Sequence, residues 1–367
     1  MRTTLYKLLF ILALSPSLVF CTNSPQPDEL KGRHTKEKKI SKEFNVSPDA
    51  LLKINNSYGN IDLATWDQNR VTIEVIIKTN GNDEEKVREK LEEINVEFNQ
   101  TTSGVSARTR FTKENSSWWS SLFSGSSNVN MEINYIVRAP ATNNVDFSND
   151  YGNIFIDKLT GNAKINCDYG RMDIRELHGS NNQLNFDYSR NSHFGYINKA
   201  VINADYSEFT VDDAKTLKIN ADYTNSKIKR AELVEFSCDY GSLTIDKVKR
   251  IAGSGDYLST KIGDIHHSAD LSMDYGSLAI GKVIRGAGEV KINSDYTGLK
   301  IGYDREHAFQ FSINANYANV KGMDNFEINK QNQGNTSKSY AGYHLNNSGN
   351  GNITITSSYG SISFQQL

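Results

Sequence analysis

The residues with the greatest capacity for chemistry are a series of aspartates and a few scattered bases. Aspartate recurs at Asp150, Asp168, Asp187, Asp205, Asp222, Asp239, Asp256, Asp274 and Asp295, in steps of 17 to 21 residues. Carboxylates in a row can ligate calcium, but a calcium loop clusters several oxygen donors, and each step here supplies one carboxylate. The aspartates read instead as turn formers, each accepting backbone N–H groups of the corner that follows it. A polysaccharide-cleaving site would need acids and bases gathered from several chain passes. The nearest candidates are Arg171, Arg175 and Arg190 beside the aspartates, and Lys227, Lys229 and Arg230. Nothing in the spacing gathers them, so they read as solvated surface charge. His266 and His267 are adjacent, and neighbours point apart on a strand. There is no Gly-rich phosphate loop, nucleophile elbow or Cys/His cluster. The expectation is therefore no catalytic residue, no cofactor and no metal.

The chain has three cysteines, Cys21, Cys167 and Cys238. Cys21 closes an apolar run, Leu8 to Phe20, that follows Arg2 and Lys7 and is too short to span a bilayer. Residues 1–21 read as an export signal. Leu18-Val19-Phe20-Cys21 resembles a bacterial lipobox, which makes Cys21 a candidate lipidation site. Phe20 departs from that pattern, since a small residue is expected there, and ordinary cleavage after Cys21 stays open. The implied location is the periplasm or cell surface, with membrane contact only through Cys21. Net charge is −2, so no nucleic-acid footprint is present.

The elements that position these residues are set by a repeat. A tyrosine follows each aspartate: Tyr151, Tyr169, Tyr188, Tyr206, Tyr223, Tyr240, Tyr257, Tyr275 and Tyr296, with Tyr317, Tyr359 and an isolated Tyr58. The step of 42 from Tyr317 to Tyr359 reads as two steps of 21 with a degenerate copy near Lys338. With the tyrosine as zero, positions −6, −4 and −2 are apolar or small, as in Ala200, Ile202 and Ala204. Positions +3, +5 and +8 are apolar, as in Leu243, Ile245 and Val248. Alternation with period two marks a strand with one inward face. Parity slips between the tyrosine and +3, so a corner lies there. The tyrosine shares parity with −2 and −4 and is expected on the inward side, its rings stacked from copy to copy. A fixed period with constant polarity predicts an all-β, parallel β-solenoid of about 18-residue coils, with a right-handed path favoured. Cys167 and Cys238 lie four coils apart, about 19 Å at the usual strand spacing, too far for a disulfide.

The rest of the chain reads in order. Residues 22–41 form a polar tether and 42–144 an N-terminal cap, in which Tyr58 marks a founding copy of the repeat. The cap holds one helix over 83–94, started by Asn82 with Glu85 and with Val87, Leu91 and Ile94 on one face. Residues 145–367 form the solenoid, with 329–350 an exposed loop and 351–367 the last coil. The cap also carries Ser116-Ser117-Trp118-Trp119-Ser120-Ser121-Leu122-Phe123. Trp118, Trp119, Leu122 and Phe123 are the candidate partner contact, since adjacent tryptophans suit a protein or membrane interface; a hairpin tip folded back on the cap is the competing reading.

The Asp-Tyr-Gly-x-Leu/Ile-x-Ile copies, the single helix near the start and the export signal resemble the bacterial DUF4097 β-strand-repeat family and the related head-GIN adhesin-like domains. The resemblance covers roughly residues 42–367. It implies a right-handed β-helix in a bacterial envelope and a non-enzymatic, adhesin-like binding or scaffold role. It also implies a rival role, binding a membrane regulator in envelope-stress signalling. The expected partner is an envelope protein or glycan. No catalytic residues carry over from the family.

Overall fold

The computed structural model describes residues 31–112 and 129–367. The expected export signal, Cys21 and the Trp118, Trp119, Leu122, Phe123 segment lie outside the described residues. Among those described, no helix is long and apolar enough to cross a membrane.

The repeat builds strands because its alternation buries one face. In the pass around Tyr206, Ala200, Ile202 and Ala204 before the corner and Phe209, Val211 and Ala214 after it are all buried. Long strands carry the chain from one pass to the next. Glu208–Asp222 lies parallel to Asn225–Asp239, with Val211 on Ile228, Ala214 on Ala231, Leu217 on Val234 and Ile219 on Phe236. Apolar side chains thus stack on apolar side chains of the next rung, each burial contributing about 1.5–3 kcal/mol. The result is an all-β molecule with one long, mostly parallel, unclosed sheet, consistent with a β-solenoid. Leu51–Ser57 pairs in parallel with Asn144–Asp150, and Ile61–Trp66 with Ile154–Leu159. The rung of Tyr58 therefore stacks directly on that of Tyr151, across the long excursion between them.

Each end is finished by antiparallel strands. At the N-terminal end Gly104–Phe111 and Val129–Pro140 run parallel to the first rung. Ile94–Thr101 and Arg70–Gly81 then pair with them antiparallel. His34–Asn45 pairs antiparallel with Arg70–Gly81. This corrects the tether expected over 22–41: from His34 onward it is strand. Its charges misled, because Lys36, Lys38, Lys39 and Lys42 sit on an edge strand, where lysine discourages further pairing. The helix spans Glu84–Glu93, and its N-cap is Asp83, not Asn82: the Asp83 carboxylate accepts from the N–H groups of Glu85 and Lys86. Either residue type caps well, so sequence alone could not choose between neighbours. Val87 and Ile94 are buried beneath the helix.

At the C-terminal end the loop expected over 329–350 is largely strand. Glu327–Gln333 and Ser337–His344 form a hairpin, and Ser337–His344 lies antiparallel on Phe309–Asn316. Lys338 therefore belongs to this hairpin and not to a degenerate copy of the repeat. Nor is 351–367 the last rung, since it lies one layer further in.

Cys167 and Cys238 are free and buried. Burial, with neighbouring aspartates adding to it, pushes both thiols up to about 12. Neither should react with a thiol reagent in the native protein. After denaturation, thiol titration should give the same count for the pair with and without reductant. A bond between them would contradict the register.

Candidate functional site

The aspartates and tyrosines form one continuous edge. All twelve tyrosines of the repeat have positive φ, between 48° and 65°. A non-glycine residue there costs about 1–2 kcal/mol, and that conformation makes the corner. It also overturns the inward expectation: in the left-handed region the side chain leaves the face that strand parity assigns to it. From Tyr151 onward the rings are about half exposed, from 42% at Tyr151 to 61% at Tyr317. The residue after the tyrosine turns inward in its place, and it is small in every copy except at Leu258, which is buried. A Cβ on Gly170 would sit 1.9 Å from the Gly152 carbonyl oxygen. Where this residue carries a hydroxyl, the hydroxyl is buried and bonded: Ser189 Oγ donates to the Cys167 carbonyl at 2.9 Å and Thr224 Oγ1 to that of Ala204 at 2.9 Å.

The rings stack in a single column. Tyr206 and Tyr223 are 4.8 Å apart at 2°, and Tyr223 and Tyr240 4.8 Å apart at 3°. Each pair contributes about 0.5–1.5 kcal/mol, which offsets much of the strain at the corners. Partial desolvation, then the neighbouring phenols, raise Tyr169, Tyr206 and Tyr240, which favours the neutral form of these three.

The aspartates do not bond within their own corners, as an Asx turn would. Six of the nine, Asp168, Asp187, Asp205, Asp222, Asp239 and Asp274, reach the next rung. Asp168 Oδ1 accepts from Asp187 N–H at 3.0 Å, Asp187 Oδ1 from Asp205 at 3.1 Å, and Asp222 Oδ1 from Asp239 at 3.2 Å. The tyrosine N–H meanwhile donates to the next aspartate's carbonyl, as Tyr188 does to Asp205 at 3.0 Å. The carboxylate thus supplies an acceptor where the corner takes the backbone ladder out of alignment. Beside it an amide ladder runs through Asn166, Asn185, Asn203 and Asn220, each Nδ2 donating to the preceding Oδ1 at 2.7–2.9 Å. These amides, which sequence reasoning passed over, share with the aspartates a groove of about 610 Å³.

Elsewhere several charges are paired across neighbouring rungs. Lys229 meets Asp212 at 2.8 Å, Arg230 meets Asp213 at 2.7 Å, and Lys249 meets Glu232 at 3.2 Å. Among the described residues, no Lys or Arg lies within ion-pair distance of any of the nine column aspartates. Burial, then Asp168, raises Asp150 above the usual carboxylate range. Burial and the flanking Asp168 and Asp205 raise Asp187, against the hydrogen bond from Asp205 N–H. A carboxylate with a raised folded pKa is penalised in its charged form. The penalty is fully present above that pKa and vanishes as pH falls through the ordinary value of about 3.8. Asp187→Asn keeps the acceptor and removes the charge. It should therefore leave the melting temperature unchanged or higher at neutral pH and low salt, with any gain lost in acid or high salt. A clear drop at neutral pH would show that the charge itself is needed.

The residues weighed for catalysis are not brought together. Arg230 and Lys229 are committed to ion pairs, Arg175 lies 3.9 Å from Glu176, and Arg171 stands over the Phe155 ring at 5.7 Å. Among the described residues, no three His, Cys, Asp or Glu side chains gather closely enough to hold a metal ion. His266 and His267 line a separate cavity of about 740 Å³ with Lys215, Arg230, Lys247 and Lys249.

No protein-family model and no curated protein matches this chain. Solved structures do align along it. One named "putative adhesin", from Parabacteroides distasonis, is 11% identical, covers 92% of this chain and 98% of its own, and has a TM-score of 0.30. A second of that name, from Parabacteroides merdae, is 10% identical over 89% of this chain and 96% of its own, at 0.30. A "putative cell adhesion protein" from Clostridium sporogenes is 10% identical over 91% and 100%, at 0.21. At such scores the likeness decides neither fold nor role.

Proposed function

We propose that this chain is a non-enzymatic, exported protein of the bacterial cell envelope that acts as an adhesin-like binding surface or scaffold. In this reading the sheet winds as a right-handed β-helix of about 18-residue coils, and any membrane attachment is through Cys21. One observation carries it: an exposed edge of twelve left-handed corner tyrosines, eleven of them at least 42% exposed, beside nine aspartates with no Lys or Arg in ion-pair reach. A surface that repeats at every rung suits an extended partner, a glycan chain or another protein's strand, more than a small molecule needing a deep pocket. Its acidic column repels acidic polymers and favours neutral or basic ones. The Trp118-Trp119 segment belongs to the same proposal. The strands on either side of it, Gly104–Phe111 and Val129–Pro140, pair beside the two strands that meet at Tyr58.

The test is binding of purified protein to envelope fractions. Tyr206→Asn with Tyr223→Asn and Tyr240→Asn, asparagine being tolerant of positive φ, should weaken association several-fold. Trp118→Ser with Trp119→Ser should weaken it with the melting temperature close to unchanged. Full binding by both variants would sink the assignment of the edge. Degradation of any envelope polysaccharide by the pure protein would sink the non-enzymatic reading.

A further inference from the structure

The stacking order departs from chain order at the C-terminal end. Glu289–Asp295 pairs in parallel with Gly351–Ser358, and Gly351–Ser358 pairs in parallel with Phe309–Asn316. After the corner, Gly298–Tyr303 pairs with Ser361–Gln366, which in turn pairs with Asn319–Lys321. The tyrosines repeat the order: Tyr296 stacks on Tyr359 at 4.7 Å, and Tyr359 on Tyr317 at 4.9 Å. The last segment of the chain thus fills a slot between two rungs that both precede it. Ile353, Ile355, Ile362 and Phe364 are buried in that slot.

One exposed connector leads into the segment. Ser337–His344 occupies the outer edge of Phe309–Asn316, and residues 345–350 carry the chain round to the inner edge. Leu345 has φ of 66° and is 56% exposed, a strained position for a bulky apolar side chain. Asn346, Asn347 and Ser348 are exposed as well. Their bonds are few: Asn346 N–H donates to the His344 carbonyl at 2.9 Å, Gln310 Nε2 to the Asn347 carbonyl at 3.1 Å, and Ser348 bonds to Asn346 within the turn. Opening this hinge relieves strain and sacrifices little packing.

We propose that the slot between the Tyr296 and Tyr317 rungs is a strand-acceptor site for a second copy of this chain, so that two molecules exchange residues 351–366 and form a swapped dimer. The same side chains meet the same walls in both arrangements, so the cis and trans contacts are equal. Concentration and hinge strain then decide the balance, the usual condition for domain swapping. Two identical exchanges close the dimer. The connector, six residues long, extends to about 20 Å, enough to cross between neighbouring molecules. The proposal is independent of what the tyrosine edge binds.

Asn293 and Thr356 are register partners across one wall of the slot. Paired strands lie about 4.8 Å apart, within reach of a disulfide. The test uses the full chain with Asn293→Cys and Thr356→Cys in a Cys21→Ser background. Oxidised while dilute and unheated, it should link within one chain. Held concentrated just below its melting midpoint, returned to room temperature and then oxidised, it should run largely as a covalent dimer without reductant. Neither single-cysteine variant should do so. Complete intramolecular linkage under both conditions would overturn the exchange. Failure to link under either condition would overturn the slot itself. Equal dimer from the single variants would mark the dimer as unspecific and also count against the proposal.

Discussion

Ile219→Asp should be the most damaging single substitution in the middle of the stack. Ile219 is fully buried, between Ile202 and Phe236 in the rungs on either side. The change removes about 1.5–3 kcal/mol of apolar burial. It also buries a carboxylate without a partner, at a further cost of several kcal/mol, or forces its protonation. The sum reaches about 4–5 kcal/mol or more, the range reserved for core failures. Because each rung touches only its neighbours, damage should spread from this point. Hydrogen exchange should lose protection first across Ala200–Asp239, and the thermal transition should broaden or split. Lys218→Asp is the control. Lys218 is exposed, and Glu235 is its register partner, so the added repulsion should cost under about 1 kcal/mol. Equal effects at the two positions would mean that the inward face is misassigned.

That inward face was legible because every copy states it again. Ile202, Ile219 and Phe236 occupy one position in successive passes and meet in register. A parity slip after each tyrosine marked a corner, and the corner is there. What one pass cannot express is an interaction between passes. Asp187 meets Asp168 and Asp205 across steps of 19 and 18 residues, so its bond to the next rung looked like a local turn. The direction of the tyrosine was misread for a related reason. Alternation assumes extended backbone, and one left-handed residue reverses the faces. The signal lay one position later: Gly152, Gly170, Ser189, Ser207 and Thr224 are all small, as suits an inward residue packed against the preceding rung.

Chain order also stood in for stacking order, and at the C-terminal end the two differ. The 42-residue step from Tyr317 to Tyr359 divides evenly into two, but it holds a hairpin and then an inserted rung. Residues 337–344 lack the Asp-Tyr pair, and that was the available warning.

Ending the chain after Leu345 should have the second large effect, and it should be confined to one end. The truncation removes four buried side chains, Ile353, Ile355, Ile362 and Phe364, worth about 6–12 kcal/mol together by area. It also takes away the inner partners of Phe309–Asn316 and Asn319–Lys321. The rung of Tyr317 then has no neighbour on the stack side. Its remaining strand partner is the hairpin strand Ser337–His344, and an isolated antiparallel set of this size is marginal in water. Residues 309–344 should therefore lose exchange protection and become sensitive to protease. The rungs from Tyr151 to Tyr275 keep all their neighbours, so their protection should persist. The main thermal transition should shift by only a few degrees. If protection across 309–344 survives the truncation, the Tyr317 rung can close onto the Tyr296 rung without the inserted segment. If the whole stack unfolds, stability in this molecule is global, and rungs are not independent neighbours in the way their contacts imply.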